Sequence, residues 1–216
     1  MCRLLAVKAE TPFACEPHLR ALAHIAEHSS EYQGHGWGCA RLTRDGRWDL
    51  YHSIRPVWED DLASLPDTTL LIAHARSAFR NEGIAVENNM PFSDNRLVFA
   101  FNGELRGVRI RAEGRIGAEK IFNLVRRRVR DNGGDCAAAL AAAAAQITQR
   151  THYVRAMNIV LSDGRSVHVY SSFNEAADYF TLFTRPLTGG FVVCSEPYPG
   201  RSDWIPIENN TLRTLT

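Results

Sequence analysis

Apolar residues recur along the chain with two different periods. Arg3–Lys8 is a short run of branched apolar residues, which predicts a strand starting at Cys2. In Glu16–His28 the apolar positions Leu19, Leu22, Ala23 and Ala26 stand at helical spacing, and Pro17 is tolerated in a first turn. Gly34–Gly38 is a backbone-dominated loop. Cys39–Leu42 and Trp48–Ile54 then form a hairpin around Asp45-Gly46. Pro56–Asp67 is a polar connection with room for a short helix, and Thr68–Ala75 is a buried strand. Arg76–Asn95 is long and polar, with Gly83 and Pro91, and reads as a loop. Loops of that length inside compact folds are usually functional or disordered.

Arg96–Phe101 is a further strand. Asn102-Gly103 is the strongest two-residue hairpin signal, so the pattern predicts a turn there and a return along Glu104–Ile110. Ala118–Arg130 is amphipathic, with Ile121, Phe122, Val125 and Val129 on one face. Its arginines gather at the C-terminal end, where the helix dipole favours cations, and Gly133-Gly134 stops it. Asp135–Gln149 is a second, alanine-rich helix. Strands follow at Tyr153–Leu161, Ser166–Ser171, Tyr179–Thr184, Gly190–Ser195 and near Asp203–Ile207. No repeat, linker or low-complexity tail interrupts this order, so residues 1–216 read as a single domain of the α+β class. Two sheets packed face to face, with helices outside, would bury every apolar face in a four-layer arrangement.

Composition narrows the function without naming it. The chain of 216 residues is 45% hydrophobic and 23% charged, which is ordinary for a globular protein. A net charge of +1 creates no field that would draw nucleic acid or lipid. The longest apolar run, Cys136–Ala145, falls well short of the ~18 residues of a membrane span. Cys2, Cys15, Cys39, Cys136 and Cys194 are odd in number and include no C-x-x-C pair, which argues against a disulfide framework and a zinc ribbon. The N-terminus carries no secretory signal, and a reducing cytoplasm is the expected compartment.

Five features could carry chemistry. Removal of Met1 would leave Cys2 with a thiol and a free α-amine on one residue, a nucleophile beside its own base. Asn102-Gly103 makes either a turn or an oxyanion hole, with the Asn amide and the Gly N–H aimed at one point. Arg76 opens the long loop and could fork onto a carboxylate or sit in a surface ion pair. His18, His24 and His28 share a helix, but the H-E-x-x-H pattern is absent, so no metal is expected. The basic set around Arg106–Arg130 has no accompanying nucleic-acid motif and reads as a solvated face.

Together these signals become specific. Met1-Cys2-Arg3-Leu4-Leu5, Gly36-Trp37-Gly38, His74-Ala75-Arg76-Ser77, Asn88 ahead of Pro91-Phe92, Phe101-Asn102-Gly103-Glu104 and Ser195-Glu196-Pro197 with Trp204 occur in that order. The series resembles the class II glutamine amidotransferases, the N-terminal-nucleophile (Ntn) glutaminases. Its nearest likeness is the free-standing branch that includes the γ-glutamyl amidohydrolase of ergothioneine synthesis. The resemblance implies the Ntn-hydrolase αββα sandwich, a small-molecule amide substrate and no cofactor. It implies Cys2 as nucleophile and its freed amine as general base, working through a water. It also implies an oxyanion hole from Asn102 and Gly103, and a substrate carboxylate held by Arg76 with Ser77 beside it. Gly36 and Gly38 would keep the backbone close to the N-terminal strand.

The sequence departs from the family pattern at three places. Gly117-Ala118-Glu119 stands where the family has D-[S/T]-E, whose Asp pairs with the substrate α-ammonium. Either Glu113 substitutes for it, or the substrate's amine is absent, acylated or exposed. Phe101 replaces the histidine of H-N-G, and Met90 replaces the histidine before Pro-Phe, which is expected to make the pocket more apolar. A stand-alone amidohydrolase acting on a γ-glutamyl amide is the leading expectation. The alternatives are a glutaminase subunit that passes ammonia to a separate synthetase chain, and a non-catalytic ligand-binding relative.

Overall fold

The computed structural model describes all residues from Met1 to Thr216. Two antiparallel sheets lie face to face. The first has seven strands: β1 (Arg3–Phe13), β2 (Trp37–Leu42), β3 (Trp48–Ser53), β4 (Thr68–Ala75), β9 (Phe183–Leu187), β10 (Gly190–Cys194) and β11 (Ile205–Pro206). They are ordered β11-β9-β10-β1-β4-β2-β3. The second has five: β5 (Phe92–Ser93), β6 (Val98–Val108), β7 (Thr151–Ser162), β8 (Val167–Ser171) and β12 (Thr211–Leu215), ordered β12-β8-β7-β6-β5. Helix α1 (Cys15–Glu27) covers the first sheet. Helices α2 (Gly117–Asp131) and α3 (Cys136–Gln149) cover the second, and a single turn, α4 (Ala177–Phe180), precedes β9.

Alternation along the strands builds three cores. On β1, Leu4 and Ala6, with Leu70 and Ile72 of the neighbouring β4, face the second sheet and share a core with Val98 and Ala100 of β6. The opposite faces of β1 and β4, carrying Leu5, Val7, Leu71 and Ala73, pack on Leu19, Leu22 and Ile25 of α1. Phe99, Phe101 and Ile159 pack on Phe122, Val125, Leu140 and Ile147 of α2 and α3. This is the expected four-layer αββα order.

Several elements differ from the pattern-based expectation. Asn102-Gly103 is no turn: it lies inside the continuous strand β6, with Asn102 opposite Asn158 and Gly103 opposite Met157 of β7. The glycine serves a close approach, because a Cβ on Gly103 would run into the Ala156 carbonyl. Tyr179–Thr184 is not one strand. Its first half forms α4, held by the Asn158 amide donating to the Phe180 carbonyl at 2.7 Å, and β9 begins at Phe183. The Arg76–Asn95 loop contains two 3₁₀ turns, Phe79–Asn81 and Val86–Asn88, and ends in β5, which pairs with β6. The edge strand β12 has no counterpart in the sequence reading. Gly36 and Gly38 do approach neighbouring chain closely, but not the N-terminal strand. A Cβ at Gly36 would meet the Asn89 side chain, and one at Gly38 would meet His52 and the Met90 carbonyl.

Candidate active site

Residue 2 immediately precedes β1, and Arg76 follows β4, which pairs with β1 in the register Arg3↔Ala75. The start of one strand and the end of the other therefore share one end of the sandwich. The Cys2 Sγ lies against residue 77: the Ser77 N–H donates to it at 3.4 Å, and the thiol faces the Ser77 carbonyl at 3.7 Å. Burial pushes the Cys2 thiol up from its ordinary value, while the N-terminal ammonium, the Ser77 N–H and the Arg76 charge pull it down.

The start of β1 is fixed from several sides. The Ser195 N–H donates to the Leu4 carbonyl at 3.0 Å, and the Leu4 N–H donates to Ser195 Oγ at 2.6 Å. The Arg3 guanidinium reaches Glu196 at 3.1 Å and Ser29 Oγ at 3.2 Å, and lies 4.0 Å over the Tyr179 ring. The Ser195-Glu196 pair thus tethers the residue next to Cys2.

Arg76 is buried, and its side-chain hydrogen bond is a long one, 3.5 Å to Asn89 Oδ1. Burial lowers its pKa, and the nearby Cys2 thiol acts the other way. Its backbone is clamped by the Gly36 carbonyl at 2.9 Å and the His35 N–H at 3.2 Å, while the Ala78 N–H donates to His35 Nδ1 at 2.9 Å. Asn89 is itself anchored, donating to the Ser53 carbonyl at 2.7 Å. The result is a positioned guanidinium with most of its donor fork uncommitted.

Asn102 continues the inner face of β6 begun by Val98 and Ala100. It is 1% exposed, yet neither its amide nitrogen nor its oxygen has a hydrogen-bond partner. It belongs to the same end of the sandwich as Cys2. The preceding Phe101 carbonyl adjoins the His74 ring, and His74 is the register partner of Leu4. From the other side, Asn158 opposite Asn102 bonds the Phe180 carbonyl, and the neighbouring Tyr179 hydroxyl donates to the Met1 carbonyl at 2.6 Å. His74 is fully buried, and burial with the Arg76 charge lowers its pKa to about 3, so the ring is neutral.

Cys2, Arg76 and Ser77 thus lie together at one end of the inter-sheet space, and Asn102-Gly103 lies on β6 toward that same end. Met90 and Phe101 instead pack in the helix-side core with Phe92 and Phe122, so the apolar change they bring falls in that core and not in an open pocket. A Cβ at Gly117 would meet nothing within 4 Å, and Glu113 is exposed, lining an outer groove with Arg126 and Arg127. Neither position brings a carboxylate to the site. The sequence reading missed Glu31, Gln33 and Tyr179, which surround Met1: Glu31 pairs with its ammonium, and Gln33 and Tyr179 donate to its carbonyl. No spacing rule singles out these three, because they meet only in the fold.

No helix is long and apolar enough to cross a membrane. Among solved structures, the chain is similar to a glutamine aminotransferase class-II domain protein from Silicibacter pomeroyi (TM-score 0.69, 21% identity, 99% of this chain and 94% of that one). It is also similar to a predicted glutamine amidotransferase from Pseudomonas aeruginosa (0.60, 18%, 99% and 97%). A third likeness is to the glutamine phosphoribosylpyrophosphate amidotransferase of Bacillus subtilis (0.64, 13%, 99% of this chain but 48% of that one). At such identities these likenesses speak for the fold, that of the Ntn hydrolases. A search of the curated proteins found no match. The sequence itself matches the family described as glutamine amidotransferases class-II over residues 1–186. The chain therefore belongs to the class II glutamine amidotransferases.

Proposed function

We propose that this protein hydrolyses the side-chain amide of a γ-glutamyl compound through a thioester on Cys2. One observation carries the reading: a thiol lies at the same end of the inter-sheet space as a buried guanidinium with no carboxylate bound and a buried Asn amide with no partner. An unpaired buried amide costs ~1–3 kcal/mol, and such a cost is accepted where the group has a ligand to meet.

The chemistry follows from the residues. Burial keeps the Cys2 thiol protonated near neutrality, so it needs a base. In a chain beginning at Cys2 the free α-amine is that base. The thiolate adds to the amide carbon, and the oxyanion is held by Asn102 Nδ2 and the Gly103 N–H. The amine returns the proton to the leaving nitrogen and the C–N bond breaks. Water, activated by the same amine, then splits the thioester to a carboxylate and restores the thiol. Arg76, with Ser77 at the thiol, holds the substrate's α-carboxylate through its open fork. The test is release of amine from γ-glutamyl amides by the Cys2-starting protein. Cys2→Ala should abolish it, and turnover that survives the change would overturn the proposal.

A second reading has one observation in its favour. The Bacillus subtilis enzyme extends well beyond the matched half, so the same fold there is joined to a further unit. A glutaminase serving a separate synthetase would gain activity when that chain is added. Full activity in isolation would count against it.

A further inference from the structure

The guanidinium of the candidate site stands on a segment that has left the sheet. Strand β4 stops at Ala75, and Arg76, Ser77 and Ala78 belong to no strand or helix. Two places hold their backbone. Ser77 lies against the Cys2 Sγ. Arg76 and Ala78 are bound to His35-Gly36. The Arg76 N–H donates to the Gly36 carbonyl at 2.9 Å, the His35 N–H donates to the Arg76 carbonyl at 3.2 Å, and the Ala78 N–H donates to His35 Nδ1 at 2.9 Å. The first two are backbone bonds that other residues at position 35 would also make. The third needs the imidazole.

A ring that accepts at Nδ1 is neutral and carries its proton on Nε2. A second proton would set Nδ1–H against the Ala78 N–H, two donors facing each other. Solvent can deliver that proton, because His35 is half-buried and packs edge-on against the exposed Tyr32, with 4.9 Å between ring centres. Burial lowers the His35 pKa from its ordinary 6.5, and so do the charges that face it, Arg76 at the end of β4 and the N-terminal ammonium ahead of β1. Glu31, on the same loop as His35, is taken up by that ammonium, and burial keeps the Cys2 thiol uncharged. We propose that neutral His35 is a positioning residue for the Arg76–Ala78 segment, and that its protonation releases the segment and weakens the hold of Arg76 on a substrate carboxylate.

The bond is intact above the pKa of His35 and is lost as pH falls through it. Arg76 grips the carboxylate alike in the ground and transition states, so the loss falls on KM and spares kcat. His74, the other imidazole beside Arg76, is lowered to about 3 and stays neutral through this range. The kinetic consequence rests on the proposed hydrolase reading, whereas the bond itself can be read without turnover.

Two measurements on the Cys2-starting protein separate these. Nuclear magnetic resonance follows the His35 ring nitrogens and the protection of the Ala78 N–H against hydrogen exchange between about pH 7 and about pH 5. Steady-state kinetics on γ-glutamyl p-nitroanilide cover the same range for the native protein, His35→Asn and His35→Leu. Asparagine offers Oδ1 close to the place of Nδ1 but takes up no proton. Ala78 protection should fall as His35 titrates and stay constant in His35→Asn. Native KM should rise about tenfold for each pH unit below the His35 midpoint, with kcat following the same profile as in His35→Asn. His35→Asn should keep the neutral-pH KM and lose the acid rise. His35→Leu should show a KM about tenfold higher at every pH, as expected for one lost hydrogen bond. Ala78 protection indifferent to His35 protonation, or a native acid rise in the KM of His35→Asn, overturns the proposal and leaves the hydrolase reading standing. Coupled titration of His35 and Ala78 without turnover of the amide supports the positioning role and sinks the hydrolase reading.

Discussion

Asn102 combines 1% exposure with two unpartnered polar atoms, and this makes its removal informative. Asn102→Ala is predicted to lower kcat by ~10²–10³ with a much smaller change in KM, as expected for loss of one oxyanion donor. The same substitution should leave urea stability unchanged or slightly raised, since it removes a buried group that has no partner in the fold. A purely structural asparagine would show the reverse, lower stability with kcat preserved. The thiol gives a second test at this scale. Burial raises the Cys2 pKa despite the neighbouring Arg76 and the Ser77 N–H, so Cys2 in a chain retaining Met1 should react slowly with iodoacetamide at neutral pH. Its rate should climb only above the ordinary thiol range. Peptide-mapped alkylation against pH reads this directly. Cys2, Arg76 and Asn102 were legible in the sequence as an ordered set of short motifs. Glu31, Gln33 and Tyr179 were not, because a carboxylate, an amide and a phenol far apart in the chain carry no local pattern.

The helices and most strands followed from periodicity. Ile121, Phe122, Val125 and Val129 on α2 are all buried, as their spacing requires. Asp135 caps α3 by accepting from the Ala138 N–H at 2.9 Å, so Asp135→Ala should cost about 1 kcal/mol in urea unfolding. Asn-Gly misled the reading because its local preference for a turn is weaker than the pairing of β6 along β7 on both sides of it. Gly103 is needed there for the approach of the Ala156 carbonyl. Gly103→Ala should therefore displace one strand and destabilise by ~1–3 kcal/mol, seen as a lower urea midpoint with an unchanged slope. The α4 turn and β12 escaped notice for a related reason. Their positions are set by tertiary partners, Asn158 for the first and the β8 edge for the second, and not by a periodic run.

At the scale of the molecule, the sandwich buries histidines in their neutral form. Burial lowers His74 to about 3 and His18 to about 4, in each case from an ordinary value of 6.5. Below that ordinary value the unfolded chain binds protons that the folded chain excludes. Stability is therefore fully present above 6.5 and is lost as pH falls toward the folded values. Each group contributes a slope of at most about 1.4 kcal/mol per pH unit. Urea unfolding between about pH 7 and about pH 5, where carboxylates barely titrate, should show this loss, and His74→Leu should flatten it. The central claim is the proposal that Cys2, beside Arg76, is the nucleophile. Its most direct test is mass spectrometry of the Cys2-starting protein quenched in acid during turnover of a γ-glutamyl amide. The account predicts a glutamyl adduct on the peptide containing Cys2, formed fast enough to lie on the pathway and absent in Cys2→Ala. Hydrolysis with no adduct on that peptide, or an adduct at one of the other four cysteines, would contradict it.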